Sequence, residues 1–271
     1  MQSGAIRPIP NMLPRNLFNA EHDAFRDSAR KFYEKQVVPN IARYEQQQHV
    51  DRSLWQQAGA LGLLCCTMPE QYGGCGADRL YSMILIEEQA YAMDSSTGFS
   101  LHSDIVANYI LNFGNEQQKQ HWLPKMASGE SITAIAMTEP GTGSDLQAVR
   151  TSAVPEGDEY VINGSKIFIT NGYLCDMAIV VCKTGHAEKG SANLSLIMVE
   201  AGRAGFSKGK PLNKIGMKGQ DTCELFFDNV RVPKGNLLGA EGMGFMMLMK
   251  ELAWERMLVA IICQAGAEAA F

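Results

Sequence analysis

Apolar residues in the first half of the chain recur three and four positions apart. Phe25, Ala29, Phe32 and Tyr33 do so within 21–37, with charged residues between them, and predict an amphipathic helix. Trp55, Ala58, Leu61 and Leu64 repeat the pattern, which ends at Met68-Pro69 and the turn-rich Tyr72-Gly73-Gly74-Cys75-Gly76. Further helices are predicted over 80–93 and 105–113. Gly114-Asn115-Glu116 punctuates before a short one that carries Trp122 and Met126.

From about Ile132 the pattern changes to short apolar runs bounded by turn residues. These cover 132–137, 160–162, 177–182, 194–199, 223–227 and 230–232, and Asn163-Gly164-Ser165-Lys166 reads as a hairpin turn between two of them. Short strands at this spacing predict a small antiparallel barrel or sandwich. Helical character returns over 245–271, where Leu258 to Cys263 is apolar on nearly every side and Gly266 reads as an interior glycine. A helix that apolar needs a covering partner. The expected fold class is therefore α+β: an all-helical N-terminal domain (1–131), a middle antiparallel β-barrel domain (132–239), and the first helix (240–271) of a truncated C-terminal helical domain.

Composition narrows the partners. Of the 271 residues, 46% are hydrophobic and 20% charged, which is ordinary for a globular chain and argues against disorder. A net charge of -5 argues against nucleic acid or an anionic membrane as the main partner. No apolar run is long enough for a membrane span, and the start lacks the apolar segment of a secretory signal. The 7 cysteines are odd in number, lack C-x-x-C spacing and sit mostly in apolar strings, so reduced thiols and no metal are expected. That points to a reducing compartment, either bacterial cytoplasm or mitochondrial matrix.

The string from Ala136 to Asp145 (AMTEPGTGSD) places a glycine-rich turn after a strand. Its glycines let backbone N–H groups approach an anion, and Thr138 and Ser144 supply hydroxyl donors. Read alone, such a segment is most often only a turn. The decapeptide nevertheless closely resembles the flavin-binding signature of the acyl-CoA dehydrogenase family. Asn163 to Gly172 (NGSKIFITNG) resembles that family's second element. A third spans Lys214 to Lys218 (KIGMK) and Phe226 to Pro233 (FFDNVRVP). The resemblance runs from the first helix to the last residue.

The resemblance implies FAD as cofactor, lined by Ile135, Ala136, Met137, Thr138, Glu139, Pro140, Gly141, Thr142, Gly143 and Ser144. Phe168 takes the position of the aromatic ring set against the isoalloxazine, followed by Ile169 and by Thr170, whose hydroxyl belongs near N5. For the substrate it implies Ser144, Ser191, Ala192, Met246, Ala253, Trp254, Glu255 and Arg256. Phe168 replaces a tryptophan common in several members, and Thr142 stands where alanine is frequent.

The long-chain and isovaleryl members carry their base on the first helix after the barrel, directly before an arginine. Lys250 to Leu258 (KELAWERML) resembles that variant and makes Glu255 the candidate base. Trp254, Met257 and Leu258 flank it, and apolar neighbours raise a carboxyl's pKa toward the operating pH. Glu251, one turn earlier, is its competitor; Glu87 and Glu88 are more distant ones. The acyl pocket is expected to include 97–102 in its floor, with small residues leaving room. The implied activity is α,β-dehydrogenation of a medium-to-long or branched acyl-CoA. An electron-transferring flavoprotein is the implied acceptor, and a homotetramer the implied assembly. Two other readings stand beside it, a flavin acyl-CoA oxidase and an inactive fragment or interaction subunit.

Overall fold

The first helix begins where Asn19 caps it. The Asn19 side chain accepts from the N–H groups of Glu21 and His22, and His22 returns a contact to the Asn19 N–H. The computed structural model describes residues 15–184 and 193–271. Helix α1 (Ala20–Phe32) continues through a π-helical turn, Tyr33–Val37, and is followed by α2 (Ile41–Gln47), α3 (Arg52–Ala60) and α4 (Arg79–Tyr91). A second π-helical turn, Leu101–Val106, leads into α5 (Ala107–Phe113). Asn115 then caps α6 (Glu116–Ala127), in a reciprocal pair with Gln118.

Among the described residues eight strands follow: β1 (Thr133–Ala136), β2 (Ser152–Glu156), β3 (Glu159–Thr170), β4 (Met177–Thr184), β5 (Leu194–Glu200), β6 (Phe206–Lys208), β7 (Thr222–Pro233) and β8 (Leu237–Leu238). The chain then enters α7 (Gly244–Ala270). The sheet order is β6-β7-β3-β2-β4-β5-β8, with β1 also paired to β4.

Two expectations are corrected here. The antiparallel barrel is not closed: β6 and β8 end the ladder at two separate edges, and β4 takes both β1 and β2 as parallel neighbours. The predicted hairpin at Asn163–Lys166 is absent, because those residues lie inside β3, which pairs with β2 and β7. The hairpin turn is one step earlier, at Gly157, φ +58, between β2 and β3. Gly164 serves a different need. At φ +150 it sits so close to Thr151 that a Cβ would lie 2.8 Å from the Thr151 Cα. The runs 223–227 and 230–232 form the single strand β7, with a left-handed residue, Asn229, between them.

The sheet separates two cores. On one side, Ala134, Ala136, Ile162, Val180, Ile197, Leu225 and Val232 close around each other inside the curl of the sheet. On the other, Ile135, Ile179, Val181 and Leu196 pack against Tyr109, Ile110, Leu123 and Met126 of α5 and α6. A third cluster, with Trp55, Phe32, Tyr33 and Phe99, holds the first helices together. Leu101, Ile105 and Met137 pack beside the second of these cores, which brings the end of β1 next to the π-helical turn.

Candidate active site

The glycine-rich turn leaves β1 and is gripped from behind. Glu139 is buried, and its Oε1 accepts from the Lys166 ammonium at 2.9 Å and from the Thr151 N–H at 2.9 Å, while Oε2 accepts from the Arg150 N–H at 2.7 Å. Burial pushes the Glu139 carboxyl up, but the Lys166 charge and these hydrogen bonds outweigh it and hold the group below the usual range. Lys166 also donates to the Met137 carbonyl at 3.0 Å, and the Ile167 N–H to the Thr138 carbonyl at 2.9 Å. The loop and β3 therefore form one braced unit. Its outer side is open: Pro140, Gly141, Gly143 and Ser144 are exposed, and a Cβ at either glycine would meet nothing within 4 Å. Thr142, by contrast, is buried, and its hydroxyl has no partner among the described residues.

Phe168 stands beside this loop in an unusual state. It is 63% exposed and has φ +60, at a register shift of β3 between Lys166 and Ile169. The left-handed region costs an L-residue about 1–2 kcal/mol, and a bulge is the means by which a strand re-aims one side chain. Neighbouring Ile169 turns into the sheet core, and Thr170 is half-buried. Asn171, also left-handed at φ +61, donates from its amide to the carbonyls of Gly98 at 3.0 Å and Thr133 at 3.3 Å. An exposed aromatic face, an open glycine turn and an unpartnered hydroxyl fit a planar ring carrying a pyrophosphate.

Helix α7 carries the carboxylates. Glu255 is half-buried and lines a cleft of about 100 Å³ with Ile86, Ser100, Leu101, Ile105, Leu258, Val259 and Ile262. Its Oε1 accepts from the Tyr109 hydroxyl at 2.9 Å. Burial raises the Glu255 carboxyl; the Tyr109 hydrogen bond lowers it, the Glu251 charge raises it and Arg256 lowers it, and the balance is upward. Glu251 is buried one turn earlier, accepting from the Asn112 amide at 2.9 Å, and is absent from the cleft wall.

Other candidates are placed elsewhere. Glu87 and Glu88 are buried among arginines: Arg26 reaches Glu87 at 2.7 Å, Arg30 reaches Glu88 at 2.9 Å, and Arg15 also pairs with Glu87. Their carboxylates are committed to holding α1 against α4. Trp254 lies under the Arg79 guanidinium, 4.3 Å from ring centroid to Cζ, on the α4 side of α7. Met257 lines a second groove of about 230 Å³ with Arg15, Met83 and Glu268. Of the residues expected to flank Glu255, Leu258 alone shares its cleft. Ala253, Arg256 and Met246 are exposed along α7, and Ser191 and Ala192 lie outside the described residues.

Of the six residues of the floor expected at 97–102, two, Ser100 and Leu101, line the cleft. Gly98 is small for another reason, since a Cβ there would lie 1.9 Å from Asn171 Oδ1. Three functional features escaped sequence reasoning. These are the Tyr109 hydrogen bond, the Lys166 brace and the π-helical turn, whose widened register presents Leu101 and Ile105 to the cleft. Lys166 lies inside a motif, but the Asn-Gly beside it gives that stretch the composition of a turn. Tyr109 gave a weaker signal, a lone tyrosine among apolar residues. Among the described residues no cluster of His, Cys, Asp and Glu could hold a metal ion. No helix there is long and apolar enough to cross a membrane.

Comparison with known proteins gives a consistent result. Residues 19–130 match the family description "Acyl-CoA dehydrogenase, N-terminal domain", and 134–230 match "Acyl-CoA dehydrogenase, middle domain". The chain is 48% identical over 272 residues to the long-chain specific acyl-CoA dehydrogenase of Sus scrofa mitochondria, covering 100% of this chain and 63% of that protein. It thus spans less than two thirds of that relative's length. Its fold superposes on an acyl-CoA dehydrogenase from Geobacillus kaustophilus with a TM-score of 0.92 and 47% identity, over 94% of this chain and 68% of the other. An acyl-CoA dehydrogenase from Bacillus anthracis, solved in complex with FAD, gives a TM-score of 0.86 at 33% identity, over 94% of this chain and 44% of that one. The chain belongs to the acyl-CoA dehydrogenase family.

Proposed function

We propose that this protein carries out the α,β-dehydrogenation of a medium-to-long or branched acyl-CoA thioester to the trans-2-enoyl-CoA, with Glu255 as base. The observation that carries the proposal is the placement of Glu255, half-buried on the wall of an otherwise mostly apolar cleft between α4, the π-helical turn and α7. An acyl chain fills such a cleft by burial alone. A carboxylate with raised proton affinity in that wall is suited to take the α-proton near neutral pH.

The residues from Ile135 to Ser144, with Phe168, Ile169 and Thr170, would hold FAD, which supplies a hydride acceptor for the β-hydrogen. In that assignment Phe168 offers a ring face, the turn offers backbone N–H groups, and Glu139 acts from behind by fixing the loop. Ser144, Met246, Ala253, Trp254 and Arg256, with Ser191 and Ala192, remain assigned to the substrate, Trp254 through the α4 side of the helix. The name of the Sus scrofa relative favours a long acyl chain. An electron-transferring flavoprotein as acceptor, a homotetrameric assembly and a matrix or bacterial cytoplasmic location complete the proposal.

The test is anaerobic single-turnover bleaching of the bound flavin by a panel of acyl-CoAs, with Glu255→Gln alongside. Bleaching by the parent and a loss of at least about a thousandfold in the variant is expected, in the range for removing a catalytic acid–base group. Equal bleaching in both would remove Glu255 from the role and turn attention to Glu251.

A further inference from the structure

Helix α5 runs antiparallel to α7 and sends one polar side chain to each of its two inward carboxylates. Tyr109 donates to Glu255 Oε1 at 2.9 Å, and Asn112 donates to Glu251 Oε1 at 2.9 Å. Tyr109 is completely buried, and its hydroxyl makes no other hydrogen bond among the described residues. The other oxygen of Glu255, Oε2, has no hydrogen-bond partner there either. The carboxylate is therefore tied at one oxygen and free at the other.

We propose that Tyr109 is the positioning residue for the base: its phenol ties Oε1 of Glu255 so that Oε2 is the oxygen that takes the proton. The inference rests on the assignment of Glu255 as base. The rigidity comes from α5, which is packed on the sheet through Tyr109 and Ile110 and is entered through the π-helical turn that also supplies Leu101 and Ile105 to the cleft. One helix thus sets both the angle of the carboxylate and the wall facing it.

The hydrogen bond has an electrostatic sign. A phenol that donates to a carboxylate favours its ionised form, so it holds the base deprotonated and ready. Glu251 acts in the opposite sense. Its charge, held one turn away by Asn112, disfavours a second negative charge and raises the proton affinity of Glu255. Arg256 is the remaining charged group acting on Glu255, and it lowers that affinity. From α4 and the π-helical turn the cleft wall presents Ile86, Ser100, Leu101 and Ile105, none of them charged. Tyr109 and Glu251 therefore tune the base from opposite directions, and Tyr109 alone also orients it.

The experiment is Tyr109→Phe, which keeps the ring and removes the donor. The first readout is a carbon-13 NMR titration of the Glu255 side-chain carboxyl, assigned by its loss in Glu255→Gln. Its midpoint is expected to rise by roughly one pH unit, the tenfold change typical of one hydrogen bond to a charged group. The second is flavin bleaching, in which the rate at saturating acyl-CoA is expected to fall about tenfold or more while the concentration for half-saturation holds, as for lost alignment rather than lost binding. An unchanged Glu255 midpoint overturns the proposal, and so does an unchanged bleaching rate. Tyrosine fluorinated at position 109 gives a second variant with the fold intact. Its more acidic phenol is expected to move the midpoint down, and no movement would again count against the hydrogen bond. The titration does not depend on Glu255 being the base, so failure of that assignment appears separately, as normal bleaching by Glu255→Gln.

Discussion

At the scale of single residues, backbone bulges aim side chains and burial tunes their charge. Phe168 was legible as a candidate flavin-facing ring from its motif, and the fold leaves that ring exposed on a left-handed bulge. Glu255 was legible as a candidate base from the glutamate–arginine pair. Its orientation was not, because a sequence does not say which neighbouring helix supplies Tyr109. Asp104 was not legible at all. It lies fully buried in the π-helical turn, accepts from the Ser82 hydroxyl, and burial pushes its carboxyl up to about 7 against a weaker lowering by Ser82 and Arg79. Because the folded pKa lies above the unfolded one, the folded state binds the extra proton. Its stabilising effect is complete below pH 3.8 and is lost as pH rises to about 7. Asp104→Asn is expected to flatten this dependence, shrinking the stability difference between pH 5 and pH 8 by an amount on the order of 2 kcal/mol. Denaturant melts of both proteins at the two pH values measure it.

At the scale of elements, helices were read well and the sheet less so. The three- and four-residue spacing that predicts α1 survives in the structure, as does the interior position of Gly266 in α7. The strands were recognised as apolar runs, but their joins were not. Asn-Gly inside β3 carries the composition of a turn, yet Gly164 is there because Thr151 crosses so closely. Composition alone does not separate a turn from a close approach. The same stretch holds Lys166, whose ammonium is buried against Glu139 and the Met137 carbonyl. Removing one partner of a buried pair leaves the other charge uncompensated. Lys166→Met is therefore expected to destabilise the protein by about 3–5 kcal/mol, and adding Glu139→Gln to recover a large part of that loss. Denaturant midpoints of the two single variants and the double one provide the check.

At the scale of the whole molecule, the helical part and the sheet meet at a junction without slack. Asn171 bridges the Gly98 and Thr133 carbonyls, and His102 bridges the Met126 carbonyl and Thr133. Burial lowers the His102 imidazole to about 4, so near neutral pH it is uncharged, with Nε2–H donating to Met126 and Nδ1 accepting from the Thr133 N–H. Gly98→Ala is expected to cost about 1–3 kcal/mol, because the new methyl overlaps Asn171 in a packed site. Asn171→Gly, which removes the overlap and suits the left-handed backbone, is expected to restore part of the loss. Thermal melts of the single and double variants decide it. A full recovery in the double variant would show the steric term alone, and no recovery would place the strain elsewhere in the junction.

The open ladder has a consequence for how the chain reaches this state. β3 and β7, the longest strands, pair residues about fifty to seventy-five positions apart, so a large loop must close before that pairing rewards it. The backbone hydrogen bonds of the first-half helices need only residues four positions away. Pulse-labelled amide exchange during refolding should find α1 and α4 protected early and the β3–β7 amides late, in the order set by contact distance along the chain. Until then the apolar faces of β4 and β5 stand uncovered, so the interval before β7 docks is when the chain is most open to association with its own copies.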